Sequence, residues 1–287
     1  MDNDNITRRD FVKTTAAAGL AVAAGATLGA QQMVETNVEI RTPDGTCDAA
    51  FIHPPTGSHP AVVIWPDAFG LRPAMRDMAK RLASEGYSVL VPNPFYRVAK
   101  APVFEDASNF NFGDPAQRSK LTPLMGSVGA DGAAERDAVA FIAWLDAQRQ
   151  VDRTKKVGAQ GYCMGGPLVV RTAAAVPNRV GAGASFHGGG LVTANPNSPH
   201  LLAPTIKARM YFGVAASDDA QQPDAKTKLK EVFDAAKVPV EVEVYPAAHG
   251  WCVPDMPKQA NGQPTYSRPD AERAWGKLVA LYKAGLA

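Results

Sequence analysis

A cysteine with glycine two residues before it and two residues after it, set between a strand and a helix, can lift its thiol out of a very tight turn. Gly161-Tyr162-Cys163-Met164-Gly165-Gly166 has that form. Side chains at 161 and 165 would meet neighbouring backbone, which accounts for glycine at both. The helix N-terminus that follows brings its dipole and free N–H groups to the sulfur, favouring a thiolate and a developing oxyanion. Two further residue types complete acyl-transfer chemistry. Ala215-Ala216-Ser217-Asp218-Asp219 follows one apolar run, and Pro246-Ala247-Ala248-His249-Gly250 follows the next. In this order Cys163 attacks a carbonyl, His249 takes the thiol proton, and the aspartate fixes the imidazole tautomer. Spacing from Ala215 favours Asp218 as the acid, and spacing back from Pro223 favours Asp219. The backbone N–H groups of Met164 and of Ala68, in the loop Pro66-Asp67-Ala68-Phe69-Gly70-Leu71, are placed to hold the oxyanion. Each such donor is worth about 2.7–4 kcal/mol.

Positioning these groups requires strands that end at one edge of a sheet. Strands are expected at Asn37–Arg41 and Cys47–His53 around the turn Pro43-Asp44-Gly45, then at Ala61–Trp65, Tyr87–Val91, Lys156–Gln160, Val180–Phe186, Ala208–Val214 and Val240–Tyr245. Helical periodicity covers Pro73–Ser84, with Met75, Met78, Ala79 and Leu82 on one face, and also Ala133–Ala147, the segment after Cys163 through Ala175, Asp224–Ala236 and Asp270–Ala284. Residues 92–131 read as irregular. Strands alternating with helices indicate an α/β fold, a mainly parallel sheet with helices on both faces, and no repeat or linker divides it.

The N-terminus carries a processing signal. Thr7-Arg8-Arg9-Asp10-Phe11-Val12-Lys13 precedes a small-residue apolar run from Thr14 to Ala30, the pattern of a twin-arginine leader. Residues 1–30 are therefore expected to be a signal peptide, residues 31–287 one domain, and the product periplasmic or secreted. The expected partners are the twin-arginine export machinery in transit and no membrane after cleavage. The chain has 30 basic and 28 acidic residues, interspersed along its 287, for a net charge of +2. That balance excludes a surface built for nucleic acid and leaves a small molecule as the expected partner. Three cysteines, Cys47, Cys163 and Cys252, show no metal-ligand spacing. A Cys47–Cys252 disulfide in an oxidising compartment is left open, and no cofactor or metal is required.

Together, Gly161-Tyr162-Cys163-Met164-Gly165-Gly166, Asp67-Ala68-Phe69-Gly70, Asn93-Pro94-Phe95-Tyr96-Arg97 and Tyr245-Pro246-Ala247-Ala248-His249-Gly250 resemble the dienelactone hydrolases, an α/β-hydrolase family, over nearly the whole chain after the leader. The resemblance implies hydrolysis of a small ester or lactone by Cys163, Asp218 and His249 through an acyl-enzyme. It also matches Asp67 to an acidic residue that would accept the Cys163 S–H and restrain its oxidation. The family holds a substrate carboxylate with arginines, one of them four residues after the histidine, where this chain has Val253. Arg118 lies in the region of another, with Arg72 and Arg97 as alternatives. Phe95, His187 and Trp251 are further expected pocket residues, Cys252 follows His249 closely enough to be a wall, and His200 reads as structural. The competing readings are a non-catalytic binding protein on the same fold and a thiol-redox protein using Cys163.

Overall fold

The structure, a computed structural model, describes residues 32–287. The leader expected over residues 1–30 lies outside the described residues. Eight strands form one sheet: β1 (Val34–Thr42), β2 (Gly45–His53), β3 (Ala61–Trp65), β4 (Ser88–Pro92), β5 (Val157–Tyr162), β6 (Val180–Phe186), β7 (Arg209–Ala215) and β8 (Val240–Tyr245). Their order is β1-β2-β4-β3-β5-β6-β7-β8. β1 and β2 form an antiparallel hairpin joined antiparallel to β4, and every other pairing is parallel. β3, β4 and β5 are buried along their whole length, which explains why their sequences are continuous apolar or small-residue runs rather than alternating ones.

Seven α-helices cover the sheet: α1 (Pro73–Ser84), α2 (Pro115–Val128), α3 (Ala133–Asp146), α4 (Gly165–Ala175), α5 (Ala216–Gln221), α6 (Ala225–Ala235) and α7 (Arg268–Gly285). Phe141, Ile142 and Leu145 of α3, Val169 and Val170 of α4, and Leu229 and Phe233 of α6 bury against one face. Met75, Ala79 and Leu82 of α1 and Ala274, Leu278 and Tyr282 of α7 bury against the other. Each such large side chain contributes about 1.5–3 kcal/mol of apolar burial, so the two layers hold the strand ends rigidly where the loops emerge.

Two helices depart from the sequence reading. α2 lies inside the stretch expected to be irregular. Asp114 caps it, accepting from the Ala116 N–H at 2.8 Å, and Pro115 opens it, but only Leu121, Leu124 and Val128 are buried and Pro123 interrupts its interior. So narrow a stripe around a proline leaves little helical period to read. α5 is a single short turn after β7, and it carries Asp218.

Candidate active site

The elbow forms because three strands and a helix converge on glycines. β3 pairs with β5 so that Trp65 lies opposite Gly161. A Cβ at Gly165 would collide with the Trp65 carbonyl, and one at Gly161 with the Gly165 carbonyl. The turn throws Cys163 into the left-handed region at φ 51, a conformation that costs a non-glycine residue about 1–3 kcal/mol and concentrates at functional sites. The Cys163 N–H is shared between the Phe186 carbonyl and His187 Nδ1, each at 3.1 Å. Met164 stands at the N-cap of α4. Neither its N–H nor that of Ala68 donates to a protein acceptor among the described residues, and Ala68 sits on the loop that Gly165 touches.

His249 arrives from the turn after β8 and Asp218 from α5, after β7. His249 Nδ1 is 2.8 Å from Asp218 Oδ2, and the two turns are tied by the His249 N–H to Ser217 Oγ at 2.9 Å and the Ala216 N–H to the Ala247 carbonyl at 3.0 Å. Asp219 instead pairs with Lys226 at 2.6 Å. Burial alone would lower the His249 pKa, but hydrogen bonding to Asp218 and to Cys163, with the charge on each, outweighs it and pushes the pKa up to about 10. Cys163 opens to a cavity of about 430 Å³ lined also by Met125, Met164, Leu168 and Arg171. Asp218 and His249 open to an adjoining one of about 410 Å³, and the two share Gly189 and Gly190. A cysteine, an imidazole and a carboxylate in this order, at the mouth of a cleft with two uncommitted amides, have what acyl transfer to a thiol needs.

Comparison with known proteins agrees with the geometry. Residues 48–286 match the family model described as the dienelactone hydrolase family. The chain belongs to the dienelactone hydrolase family. A carboxymethylenebutenolidase of Rhodococcus opacus is 28% identical over 240 residues, covering 79% of this chain and 86% of its own. A solved dienelactone hydrolase-like promiscuous phosphotriesterase from metagenomic libraries is 26% identical with a TM-score of 0.71, covering 89% and 99% of the two chains. The dienelactone hydrolase of Anabaena variabilis shares the fold at 17% identity and a TM-score of 0.59, covering 89% and 100%. The protein is thus a hydrolase of the lactone and ester type.

Several expected site residues of this dienelactone hydrolase family member stand elsewhere. Asp67 makes no hydrogen bond to the Cys163 thiol among the described residues. It is 1% exposed and spends both oxygens on Arg72, at 2.7 and 3.0 Å, with Oδ1 also taking the Phe69 N–H. Arg72 is itself fully buried and is held on its other side by Asp255 through two bonds of 2.7 Å. Two carboxylates around one guanidinium satisfy it so fully that none of the three is left for the sulfur or a substrate. Arg97 is committed to Asp44 and Asp137. Arg118 is exposed on α2 and makes no ion pair among the described residues.

Phe95 is core, with its ring packed over Gly70, where a Cβ would lie 2.8 Å away. It supports the Ala68 loop from behind. Trp251 is fully buried, stacked on Tyr245 at 4.7 Å and edge-on to His187 at 5.1 Å. It packs behind the histidine and lines none of the cavities. His187 is likewise sealed, 4.9 Å from His249 ring to ring. Because an amide can only donate, its Nδ1 carries the lone pair and its proton sits on Nε2, which has no partner, like Trp251 Nε1. Burial, then the neighbouring His249 charge, holds its pKa well below the ordinary histidine value. All three cysteines are free. Cys47 donates to the Asn93 carbonyl at 3.4 Å, and Cys252 opens to a different cavity from Cys163. His200 is buried and bonded to Ser198 at 2.7 Å.

Sequence reasoning missed Arg171, which lines the Cys163 cavity but is paired with Glu135 and the Asn197 carbonyl, each at 2.7 Å. Only the i, i+8 spacing from Cys163 along α4 pointed to it.

Proposed function

We propose that the protein cleaves small, uncharged esters or lactones through a thioester formed on Cys163. The observation that carries this reading is His249 Nδ1 held 2.8 Å from Asp218 Oδ2 beside the cleft to which Cys163 opens, a pairing that pushes the His249 pKa up to about 10. His249 takes the thiol proton, giving a thiolate and an imidazolium. The sulfur adds to the carbonyl carbon, and the carbonyl electron pair moves to oxygen, which the Ala68 and Met164 N–H groups stabilise. Collapse breaks the ester C–O bond, and His249 protonates the leaving alkoxide. Water then gives a proton to His249 and attacks the thioester, the C–S bond breaks, and thiolate and imidazolium are restored.

The uncharged substrate follows from the arginines. Val253 is buried, Arg72 and Arg97 are committed to carboxylates, and Arg171, the arginine that lines the Cys163 cavity, is bonded twice, so among the described residues lining this cavity no guanidinium is left unpaired for a carboxylate. Turnover of p-nitrophenyl acetate and of cis- and trans-dienelactone, measured beside Cys163→Ala and His249→Ala, tests this. The reading expects thiol-dependent cleavage of the uncharged ester and a KM for dienelactone, which bears a carboxylate, far above that for the ester. A low-KM dienelactonase would refute the uncharged-substrate assignment. Thiol-independent turnover would refute the mechanism.

We also propose export by the twin-arginine route from Thr7-Arg8-Arg9-Asp10-Phe11-Val12-Lys13, with the mature enzyme periplasmic or secreted. Cell fractionation of wild type and of an Arg8→Lys/Arg9→Lys variant checks it: the variant should stay full length inside the cell. Equal export of both would contradict the assignment.

A further inference from the structure

A largely apolar cavity lies away from Cys163. It lies on the opposite helical layer, between α1 and α7, with a volume of about 470 Å³, inside the range of small-molecule sites. Its walls are Met78, Tyr162, Phe186, Cys252, Tyr266 and Trp275. Tyr162 and Phe186 stack at 5.5 Å and 18° to make a flat aromatic floor. Burial keeps Cys252 a neutral thiol, so the interior carries no charge.

The charged groups are confined to the mouth, and most are already matched. Arg81 is bound twice by Glu272, at 2.9 and 2.5 Å, and lies 4.1 Å over the Trp275 ring. Asp255 is taken by Arg72, and Asp77 is 3.2 Å from Lys80. Asp106 binds only the backbone and hydroxyl of Ser108, which lower its pKa and keep it ionised. Glu105 has no partner among the described residues. The uncompensated charge at the opening is therefore negative, over an aromatic interior.

We propose that this cavity is a second small-molecule site that takes a cation with an aromatic or short aliphatic body, the body on the Tyr162–Phe186 floor and the ammonium at Glu105 and Asp106. The floor residues directly precede Cys163, which opens to the catalytic cleft, and His187, which packs behind it, so the occupant sits behind that cleft and not in it. The proposal does not depend on what Cys163 does.

Calorimetric titration of the full chain with 4-phenylbutylamine, 4-phenylbutyrate and 4-phenylbutan-1-ol tests it. The amine should bind saturably and at least about tenfold more tightly than the carboxylate, with the alcohol between them. Glu105→Lys, an exposed change remote from the core, should weaken the amine by about tenfold, and Ala74→Trp, which fills the mouth from a half-buried position on α1, should remove binding. Binding should persist in Cys163→Ala. Equal affinity for amine and carboxylate, no saturable binding, or binding that Cys163→Ala abolishes and Glu105→Lys leaves alone would each overturn the proposal.

Discussion

At the scale of single residues, the pKa of His249 yields a pH dependence whose sign can be worked out. The folded protein holds this proton up to about 10, while an unfolded histidine releases it near 6.5, so the folded state binds it more tightly. The resulting stabilisation is complete below about pH 6.5 and is lost as pH rises through about 10. Turnover should hold through neutral pH and fall on the alkaline side as the leaving group loses its acid. Asp218→Asn removes the main raising partner, so its alkaline limb should move toward about 6.5 in a pH–rate profile. His187 makes a different prediction. Asn at 187 tolerates the left-handed backbone at φ 41 and can place an oxygen near the position of Nδ1, whereas leucine cannot accept from the Cys163 N–H. His187→Leu should lose about tenfold in kcat, and His187→Asn should recover part of it. The elbow glycines, an aspartate pair and His249 stand out because they occur in chain order at strand ends, but spacing left Asp218 and Asp219 open, and only the 2.8 Å contact of Asp218 with His249 and the pairing of Asp219 with Lys226 separate them. His187, Trp251 and Phe95 were read as pocket residues and prove to be packing behind it: position at a strand end says that a side chain is near the cleft, not which way it turns.

At the scale of elements, the segment from β3 to α1 is stapled by a buried charge cluster. Asp67 and Arg72 bracket the Ala68 loop, and Asp255 joins them from the segment after His249. Removing the guanidinium would leave Asp67 buried without a counter-charge. Arg72→Met should cost about 3–5 kcal/mol of stability in a denaturant titration and reduce turnover, because the loop that carries the Ala68 N–H loses its anchor. The family resemblance suggested Asp67 as a partner of the sulfur. Nothing in the spacing disclosed that an arginine five residues on would claim it. All eight strands and five of the seven helices among the described residues were visible as apolar runs and stripes. α2 was not, because Pro123 and a three-residue buried stripe give it almost no periodic signal, and α5 is too short to have one.

At the scale of the molecule, the fold places all proposed chemistry on one chain at one sheet edge, and the proposed export signal lies outside the described residues. Among the described residues no group of three or more histidine, cysteine or acidic side chains is arranged to hold a metal. The proposed thioester route draws only on Cys163, His249 and Asp218, so turnover should be unchanged after dialysis against a chelator, measured beside an untreated control. The mainly parallel sheet was predictable from strand–helix alternation, but the α1–α7 cavity was not, since its walls come from six separate stretches of sequence and only packing brings them together. The central claim is that Cys163 carries the acyl group. Rapid acid quench of the enzyme with p-nitrophenyl acetate, followed by intact-mass and peptide analysis, tests it directly. A single acetyl adduct should appear on the Cys163 peptide in wild type, accumulate in His249→Ala only slowly, and be absent from Cys163→Ala. An adduct on another residue, or full turnover with no thioester at any time, would contradict the account.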